Sequence, residues 1–151
     1  MKLSVLIPAR DEEGAVEATL SGVVSTLRAA RIDFEILVVD DGSRDATADK
    51  VVRAAAADPE IGLVHNDGPH GFGHAIRCGL SRCSGDAIAI MMADGSDDPA
   101  DLVAYWNGIL EGYDCVFGSR FAEGGRVTDY PGLKLVINRA ANQFIRLLFG
   151  L

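Results

Sequence analysis

Short apolar runs alternate along the chain with longer stretches in which apolar residues recur every three or four positions. The runs predict strands and the stretches predict helices, because side chains repeat with different periods along the two elements. The predicted strands are 3–7, 34–39, 61–64, 87–92 and 113–117, and the predicted helices are 11–30, 47–57, 75–81, 99–111 and 133–148. This alternation predicts an α/β fold with a mostly parallel sheet and helices on both faces.

Polar residues cluster where the predicted strands end. The clusters are Pro8-Ala9-Arg10-Asp11-Glu12-Glu13, Asp40-Asp41-Gly42-Ser43, Asp94-Gly95-Ser96-Asp97-Asp98 and Gly118-Ser119-Arg120. Each alone is compatible with an ordinary turn, because Gly, Asp, Ser and Pro dominate turns. Their recurrence predicts a ligand site, since open α/β sheets bind ligands at the carboxyl ends of their strands.

The fourth predicted strand has the composition of a strand buried on both faces, and three acids follow it: Asp94, Asp97 and Asp98. Carboxylates at this place suit a hard divalent cation and, through it, a phosphate. The residue types fit equally well a solvated acidic turn that caps the next helix, which Pro99 begins. Both interpretations stay open on these residues alone.

Composition narrows the class of protein. The 151 residues, 48% of them hydrophobic, predict one globular domain, 1–151. A net charge of −8 argues against a nucleic acid partner, which requires a basic patch. The cysteines Cys78, Cys83 and Cys115 lack metal-ligand spacing and predict reduced thiols. No signal-peptide pattern and no apolar run of about 18 residues is found, so we expect a cytoplasmic protein.

Several familiar motifs are absent from the sequence. It has no Walker A loop, no Gly-x-Gly-x-x-Gly after the first strand and no Gly-x-Ser-x-Gly elbow. These absences disfavour a P-loop or dinucleotide site and a serine hydrolase. His65, His70 and His74 are close in sequence, but glycines separate the last two, and we interpret all three as loop residues.

Five stretches carry a family resemblance. They are Val5-Leu6-Ile7-Pro8-Ala9-Arg10-Asp11-Glu12-Glu13, Val38-Val39-Asp40-Asp41-Gly42-Ser43-Arg44-Asp45, Gly71-Phe72-Gly73-His74-Ala75 with Gly79, Ala93-Asp94-Gly95-Ser96-Asp97-Asp98-Pro99, and Gly118-Ser119-Arg120-Phe121. In this order they resemble the family 2 glycosyltransferases, which have the Rossmann-like GT-A fold. Within that family the chain looks most like the dolichol- and polyprenol-phosphate sugar transferases.

The resemblance implies a role for each matching position. A nucleoside site would be lined by Pro8, Arg10, Glu12, Val38 and Asp40, with Asp40 accepting hydrogen bonds from the base. The family's Asp-x-Asp motif, which holds Mg²⁺ or Mn²⁺ on the donor diphosphate, corresponds to Met92-Ala93-Asp94, and Ser96 matches a further position near the metal. Arg120 matches a phosphate-binding arginine, while Lys134 and Asn138 match positions near the lipid phosphate acceptor.

Two departures from the family pattern are visible. Met92 stands where the motif has its first acid, and a thioether is a poor ligand for a hard cation. A metal would then rest on Asp94, the diphosphate and water, with Asp97 or Asp98 as substitutes. The family also continues with a further strand-and-loop segment, so we expect a domain that is incomplete at its C-terminus.

The resemblance implies inverting transfer of a sugar from a GDP- or UDP-sugar to a polyprenyl phosphate. A phosphate acceptor is already an anion and needs no strong general base. The amphipathic stretch 133–148 is compatible with core packing or with peripheral contact at the cytoplasmic face of a membrane. The alternatives are transfer to a saccharide hydroxyl, a nucleotidyltransferase, which the acidic stretch 8–13 disfavours, and a non-catalytic nucleotide-sugar-binding module.

Overall fold

The computed structural model describes residues 1–118 and 132–149, the latter range by backbone alone at 132–136, 138 and 139. Its strands are β1 (Lys2–Ala9), β2 (Asp33–Asp40), β3 (Ile61–His65) and β4 (Ala87–Ile90). Its helices are α1 (Val16–Ala29), α2 (Thr47–Ala57), α3 (Phe72–Leu80), α4 (Pro99–Leu110) and α5 (Gly132–Phe149). The chain divides into two compact units, Met1–Val116, with the sheet and α1–α4, and Phe117–Leu151, with α5. That one domain spans 1–151 stays a prediction.

The sheet is parallel, with the strand order β3-β2-β1-β4. The last residues of three strands lie in line, because Ala9 of β1 pairs with Asp40 of β2, and Asp40 pairs with His65 of β3. The chain therefore leaves these strands at one edge of the sheet. The predicted α/β architecture is confirmed.

Alternating residues of the strands face two different cores. Odd-numbered residues of β1 and even-numbered residues of β2 pack with α1, α2 and α4 around Leu20, Val51 and Trp106. The opposite face holds a smaller core, in which α3 packs on Leu6 and Val39. Gly79 permits this packing, because a Cβ there would lie 2.1 Å from Leu6 Cδ1. Helices thus cover both faces of the sheet, as predicted.

Two sequence-based predictions about the sheet are wrong. β4 is not buried on both faces, since Ile88 and Ile90 are 43% and 51% exposed. The reason is that α3 packs against β1 and β2 and leaves this side of β4 uncovered by the described residues. The stretch 113–117 is not a strand: it pairs with no strand of the described chain, and Val116 instead packs against Gly108 of α4.

A polar network closes the end of the sheet where the strands begin. Glu35 of β2 accepts hydrogen bonds from Lys2 Nζ (2.8 Å), Ser4 Oγ (2.6 Å), and Ser84 N and Oγ (2.6 and 2.7 Å). Ser4 Oγ also accepts a hydrogen bond from Gly85 N (2.9 Å). The network ties the loop between α3 and β4 to the two central strands.

Candidate active site

The chain order of the sheet places one crevice above its carboxyl edge. β1 lies between β2 and β4: the chain passes from β1 to β2 and β3 on one side of β1 and then crosses to β4 on its other side. Such a topological switch point is where open α/β sheets bind ligands. Residues 10–15 follow β1 and residues 91–98 follow β4. Two of the polar clusters found in the sequence therefore lie at the switch point.

The segment after β1 is a turn rather than the predicted start of a helix. Asp11 has φ = 55°, in the left-handed region that strains a residue with a side chain. Its amide donates to Ser43 Oγ (3.1 Å), and its Oδ1 accepts from Arg44 N (2.7 Å). Glu12 N donates to Thr47 Oγ1 (2.8 Å). These bonds to the loop after β2 hold the turn, which explains why α1 begins at Val16 and not at Asp11.

Asp40 is positioned from two sides. Its side chain is 8% exposed; Oδ1 accepts from Ser43 N (3.1 Å), and Oδ2 lies 3.2 Å from His65 Nδ1. His65 is 59% exposed, so the pair opens toward solvent at the strand ends. A carboxylate held in this way is suited to accept N–H groups from a bound base. His65 ends β3 and His74 lies in α3, so the interpretation of both as loop residues is wrong, whereas His70 is in a loop.

Side chains alternate direction after β4. Met91 and Ala93 are buried, whereas Met92 and Asp94 are exposed on the opposite side. The α1 residue Thr19 fixes this segment, because its hydroxyl donates to the carbonyl of Ala93 (3.0 Å) in a buried hydrogen bond. Asp94 Oδ1 accepts from Ser96 N (2.9 Å) within the turn.

The other two acids of this cluster also accept hydrogen bonds from backbone amides. Asp97 Oδ2 accepts from Met92 N (2.9 Å). Asp98 is the N-cap of α4, and its Oδ1 accepts from Ala100 N (2.9 Å). The capping interpretation of the acidic turn therefore describes Asp98, while the exposed Asp94 is the acid placed at the crevice.

Electrostatics connect the two segments of the crevice. Burial raises the pKa of Glu12, and the negative charges of Asp94, Asp45 and Asp11 raise it further. The charge of Asp94 thus affects the pKa of Glu12, although the two residues follow different strands. An electronegative site of this kind favours a cation.

The remaining residues implied by the resemblance are placed differently. The side chains of Val38 and Ala93 are in the core, and Pro8 is buried near the end of β1. Arg10 is exposed. Arg120 lies outside the described residues, and Lys134 and Asn138 lie one turn apart on α5.

The donor atoms fit a divalent cation that is shared with a ligand. Asp94 supplies a carboxylate and Ser96 a hydroxyl, which are the oxygen ligands that Mg²⁺ and Mn²⁺ prefer. Met92 offers only a thioether, and within the described residues no three His, Cys, Asp or Glu side chains group as a metal site. A cation held by Asp94 and Ser96 would take its remaining ligands from a diphosphate and water.

Asp41, Asn66 and Thr19 hold the segments around the candidate site, and none of them was assigned a role from the sequence. Each is buried, and each bonds to a segment more than 20 residues away in sequence. A local pattern carries no signal for such pairs.

The three cysteines, in contrast, are free thiols as predicted. No helix within residues 1–118 and 132–149 is both long and apolar enough to cross a membrane.

Comparison with known proteins places this geometry in a family. The family model described as "Glycosyl transferase family 2" matches residues 4–149. A polyprenol monophosphomannose synthase from Mycolicibacterium smegmatis is 33% identical over 97% of this chain and 55% of its own length. An undecaprenyl-phosphate mannosyltransferase from Micrococcus luteus is 33% identical over 100% of this chain and 61% of its own length. The chain thus spans little more than half the length of these relatives.

The fold comparison agrees with the sequence comparison. A mannosyltransferase from Pyrobaculum calidifontis, solved in complex with GDP-Man and Mn²⁺, superposes with a TM-score of 0.58 at 27% identity. The match covers 68% of this chain and 30% of that one. The predicted GT-A fold is confirmed by this likeness to known sugar transferases.

Proposed function

The chain belongs to glycosyl transferase family 2, and on this premise we propose that it transfers mannose or glucose from a GDP- or UDP-sugar to a polyprenyl phosphate, with inversion at the anomeric carbon. The single observation that carries the proposal is the switch point between β1 and β4, where the turn after β1 and the acidic turn after β4, with Asp94, both follow the carboxyl ends of their strands. The names of the mycobacterial and Micrococcus relatives support a polyprenyl phosphate as the acceptor.

The donor's nucleoside would occupy the crevice above the strand ends. Asp40 would accept a hydrogen bond from an N–H group of the base. Both guanine and uracil have such a group. Arg10 is exposed beside it, and Glu12 lies at the turn that Thr47 holds. Pro8 and the backbone at Val38 form the floor of the site.

The donor's diphosphate would lie toward Asp94. Asp94 and Ser96 would hold Mg²⁺ or Mn²⁺, and a bound cation would neutralise charge on the leaving diphosphate. Arg120 adds a positive charge for phosphate from the protein itself. Met92 in place of an acid leaves Asp94 as the one carboxylate of the implied motif.

The acceptor side follows from the chemistry of a phosphate. A polyprenyl phosphate is an anion at neutral pH, so it can attack the anomeric carbon without a general base. The task of Lys134 and Asn138 is then to orient this anion, and rate enhancement comes from positioning. Transfer to a saccharide hydroxyl, the alternative reaction, would require a base in addition.

A membrane surface is the natural source of such an acceptor, and α5 suits contact with it. The helix contains Lys134, Arg139 and Arg146 and no acidic residue, whereas the whole chain has a net charge of −8. Its exposed residues include Phe144, Leu147 and Phe149, which are 64%, 77% and 68% exposed. We propose that α5 lies at the cytoplasmic face of the membrane, because basic, apolar helices bind anionic interfaces.

The test combines donor binding with transfer. Binding of GDP and UDP is measured by calorimetry with and without Mn²⁺, and transfer is measured from radiolabelled GDP-mannose and UDP-glucose to a C55 polyprenyl phosphate in vesicles. We expect one nucleotide to bind in the presence of metal and its sugar to be transferred. Asp94→Ala should weaken metal-dependent binding at least tenfold.

Asp86→Ala is the matched control. Asp86 stands just before β4, at the opposite end from Asp94, and accepts a hydrogen bond from Lys2 N (2.7 Å). The Asp86→Ala variant should bind the donor nucleotide as tightly as the parent. Binding without transfer from either donor would favour the non-catalytic module, and equal affinities of Asp94→Ala and parent would refute the metal site.

A further inference from the structure

The acidic turn after β4, residues 92–97, is shaped by hydrogen bonds within itself. Strand pairing of β4 ends before this turn. Met92 N donates to Asp97 Oδ2 (2.9 Å), at the other end of the turn. Ser96 N donates to Asp94 Oδ1 (2.9 Å). These two bonds define the shape of the turn, but they do not attach it to the elements around it.

Thr19 attaches the turn to α1. Its hydroxyl donates to the carbonyl of Ala93 (3.0 Å), and the bond is buried, because Thr19 is 6% exposed and Ala93 is 1% exposed. A threonine within a helix can instead donate to the carbonyl four residues back, which here is that of Ala15 and accepts the amide of Thr19 (3.0 Å). The hydroxyl is thus directed away from its own helix and toward the residue that precedes Asp94.

The packing of α1 against this part of the chain extends beyond Ala93. Gly95 lies close to the hydroxyl, since an added Cβ there would be 3.7 Å from Thr19 Oγ1. One helical turn beyond Thr19, an added Cβ at Gly22 would be 3.3 Å from Pro99 Cγ, at the start of α4. α1 therefore supports both the acidic turn and the helix that follows it.

The same helix continues from the turn after β1. The amides of Ala15 and Val16 both donate to the carbonyl of Glu12 (3.1 and 3.0 Å), and α1 begins there. Thr19 lies one helical turn further along. A single helix thus connects the two sides of the switch point, with Glu12 at its start and Ala93 bound to its second turn.

Loss of the Thr19 hydroxyl would remove the donor of a buried carbonyl. A buried carbonyl without a hydrogen bond is unfavourable, so the backbone at Ala93 would shift toward another partner. Asp94 is the next residue, and its carboxylate would move with that backbone. A hard cation such as Mg²⁺ requires its oxygen ligands at nearly fixed distances, so a small displacement of Asp94 weakens coordination.

We propose that Thr19 is a positioning residue of the donor site: its hydroxyl fixes the backbone at Ala93 and thereby sets the place of Asp94 for a cation bound together with a nucleoside diphosphate. The inference rests on the proposed function, because it concerns the metal at Asp94. Thr19 itself would touch neither metal nor donor, because its hydroxyl is buried against the backbone of the turn.

The experiment separates the hydroxyl of Thr19 from its volume. Thr19→Val keeps the shape and removes the donor, whereas Thr19→Ser keeps the donor and loses a methyl group. Calorimetry measures binding of GDP and UDP in Mn²⁺, and electron paramagnetic resonance of free Mn²⁺ measures metal uptake with the nucleotide that binds. Thr19→Val should weaken both about tenfold, and Thr19→Ser should stay within about threefold of the parent.

Leu27→Val is the matched control for stability. Leu27 lies two turns beyond Thr19 on α1 and is buried in the larger core. Both Leu27→Val and Thr19→Val should lower the unfolding midpoint. Leu27→Val should nevertheless bind nucleotide and Mn²⁺ within about twofold of the parent, because the loss of a core methylene leaves the Ala93 carbonyl bonded.

A double variant shows whether Thr19 acts through Asp94. If it does, Thr19→Val combined with Asp94→Ala should bind nucleotide and Mn²⁺ little more weakly than Asp94→Ala alone. The reason is that the backbone at Ala93 no longer matters for the metal once the carboxylate that it places has been removed. Additive losses in the double variant would contradict a path through Asp94.

The remaining results also support or overturn the positioning role. Equal affinities of Thr19→Val and parent, with weaker binding by Asp94→Ala, would overturn it and leave the proposed function intact. Equal weakening by Thr19→Val and Thr19→Ser, or by Thr19→Val and Leu27→Val, would overturn it as well, since packing or stability would then be the cause. A parent that binds neither nucleotide contradicts the proposed function, and the positioning role with it.

Discussion

The two ends of β2 carry carboxylates with similar hydrogen bonding and different surroundings. At the start of the strand, Glu35 accepts bonds from Lys2, Ser4 and Ser84, which tie neighbouring strands and a loop together. At the end of the strand, Asp40 and Asp41 accept bonds from turns and from the half-exposed His65 and His70. The first set closes the sheet, and the second set shapes a crevice.

The difference shows how position in a parallel sheet assigns a role to a carboxylate. Two partners of Glu35, Lys2 and Ser4, belong to β1, which the sheet already fixes, so we expect Glu35 to act on stability. Asp40 and Asp41 accept most of their hydrogen bonds from segments outside the strands, at Ser43, Asn66, His70 and Gly71, so the geometry of these segments depends on the carboxylates. We therefore expect substitutions at the two ends to separate stability from binding.

The largest loss of stability is expected from Glu35→Ala. Removal of the carboxylate leaves Lys2 Nζ, Ser4 Oγ and Ser84 without the acceptor that they share. Hydrogen bonds to a charged group contribute more than neutral ones, and the expected loss is about 3 kcal/mol in the free energy of unfolding. Urea denaturation measures it. Nucleotide affinity should be unchanged, and a loss of affinity comparable to that of Asp94→Ala would contradict the separation of the two ends.

Acid should progressively reduce the contribution of Glu35 to the free energy of unfolding. Burial raises the pKa of Glu35, but the hydrogen bonds from Lys2, Ser4 and Ser84 reverse this effect and lower the pKa from 4.5 to about 2. A lowered folded-state pKa means that the stabilisation is complete above about pH 4.5 and is lost as the pH falls toward 2. The slope from this group is at most about 1.4 kcal/mol per pH unit.

The pH effect is measured as a difference between two proteins. Other carboxylates with lowered pKa, among them Asp41 and Asp45, add to the acid sensitivity of both. Subtracting the unfolding free energies of Glu35→Gln from those of the parent at pH 6, 4 and 3 isolates Glu35. The gap should shrink below pH 4.5, and a gap that stays constant would refute the assignment.

A smaller loss is expected at the crevice end from Gly42→Ala. The new Cβ would require a left-handed residue and would meet the ring of His70, which together should cost about 1–2 kcal/mol. Nucleotide affinity should fall as well, because the loop of residues 66–71, which contains His70, is displaced. Gly73→Ala is the control, since an added Cβ there meets nothing within 4 Å. Equal nucleotide affinity of the two variants would contradict the link between loop and site.

Local sequence patterns predicted the fold well for the strands of the sheet and for α2. α2 has the predicted bounds, and the four strands of the sheet lie where the apolar runs are. The patterns failed where contacts with segments distant in sequence determine the local structure. The acids at residues 11–13 suggested a helix start, but Ser43, Arg44 and Asp45 bond to them and hold a turn. An apolar run at 113–117 lacks a partner strand in the described chain.

The candidate site divides in the same way. Asp40 and Asp94 were predictable, because a parallel sheet brings the residues after its strands to one edge. The hydrogen bonds of Asp41 were not, because its bonds to Asn66 and Gly71 span 25 and 30 residues of sequence. Composition likewise left the acidic turn after β4 undecided, and it is the position of Asp98 as the N-cap of α4 that distinguishes it from Asp94.

The smallest effect, from Asp98→Ala, tests that distinction. Asp98 caps α4 through the amide of Ala100, and loss of an N-cap should cost about 1 kcal/mol in the free energy of unfolding. Asp101→Ala serves as the control, because Asp101 lies in the first turn of α4 without the capping role and should cost only a few tenths of a kcal/mol. Thermal unfolding of the two variants resolves the difference. If Asp98→Ala instead lowered metal-dependent nucleotide affinity as much as Asp94→Ala, Asp98 would be a ligand, and the acids after β4 would act together rather than divide between cap and crevice.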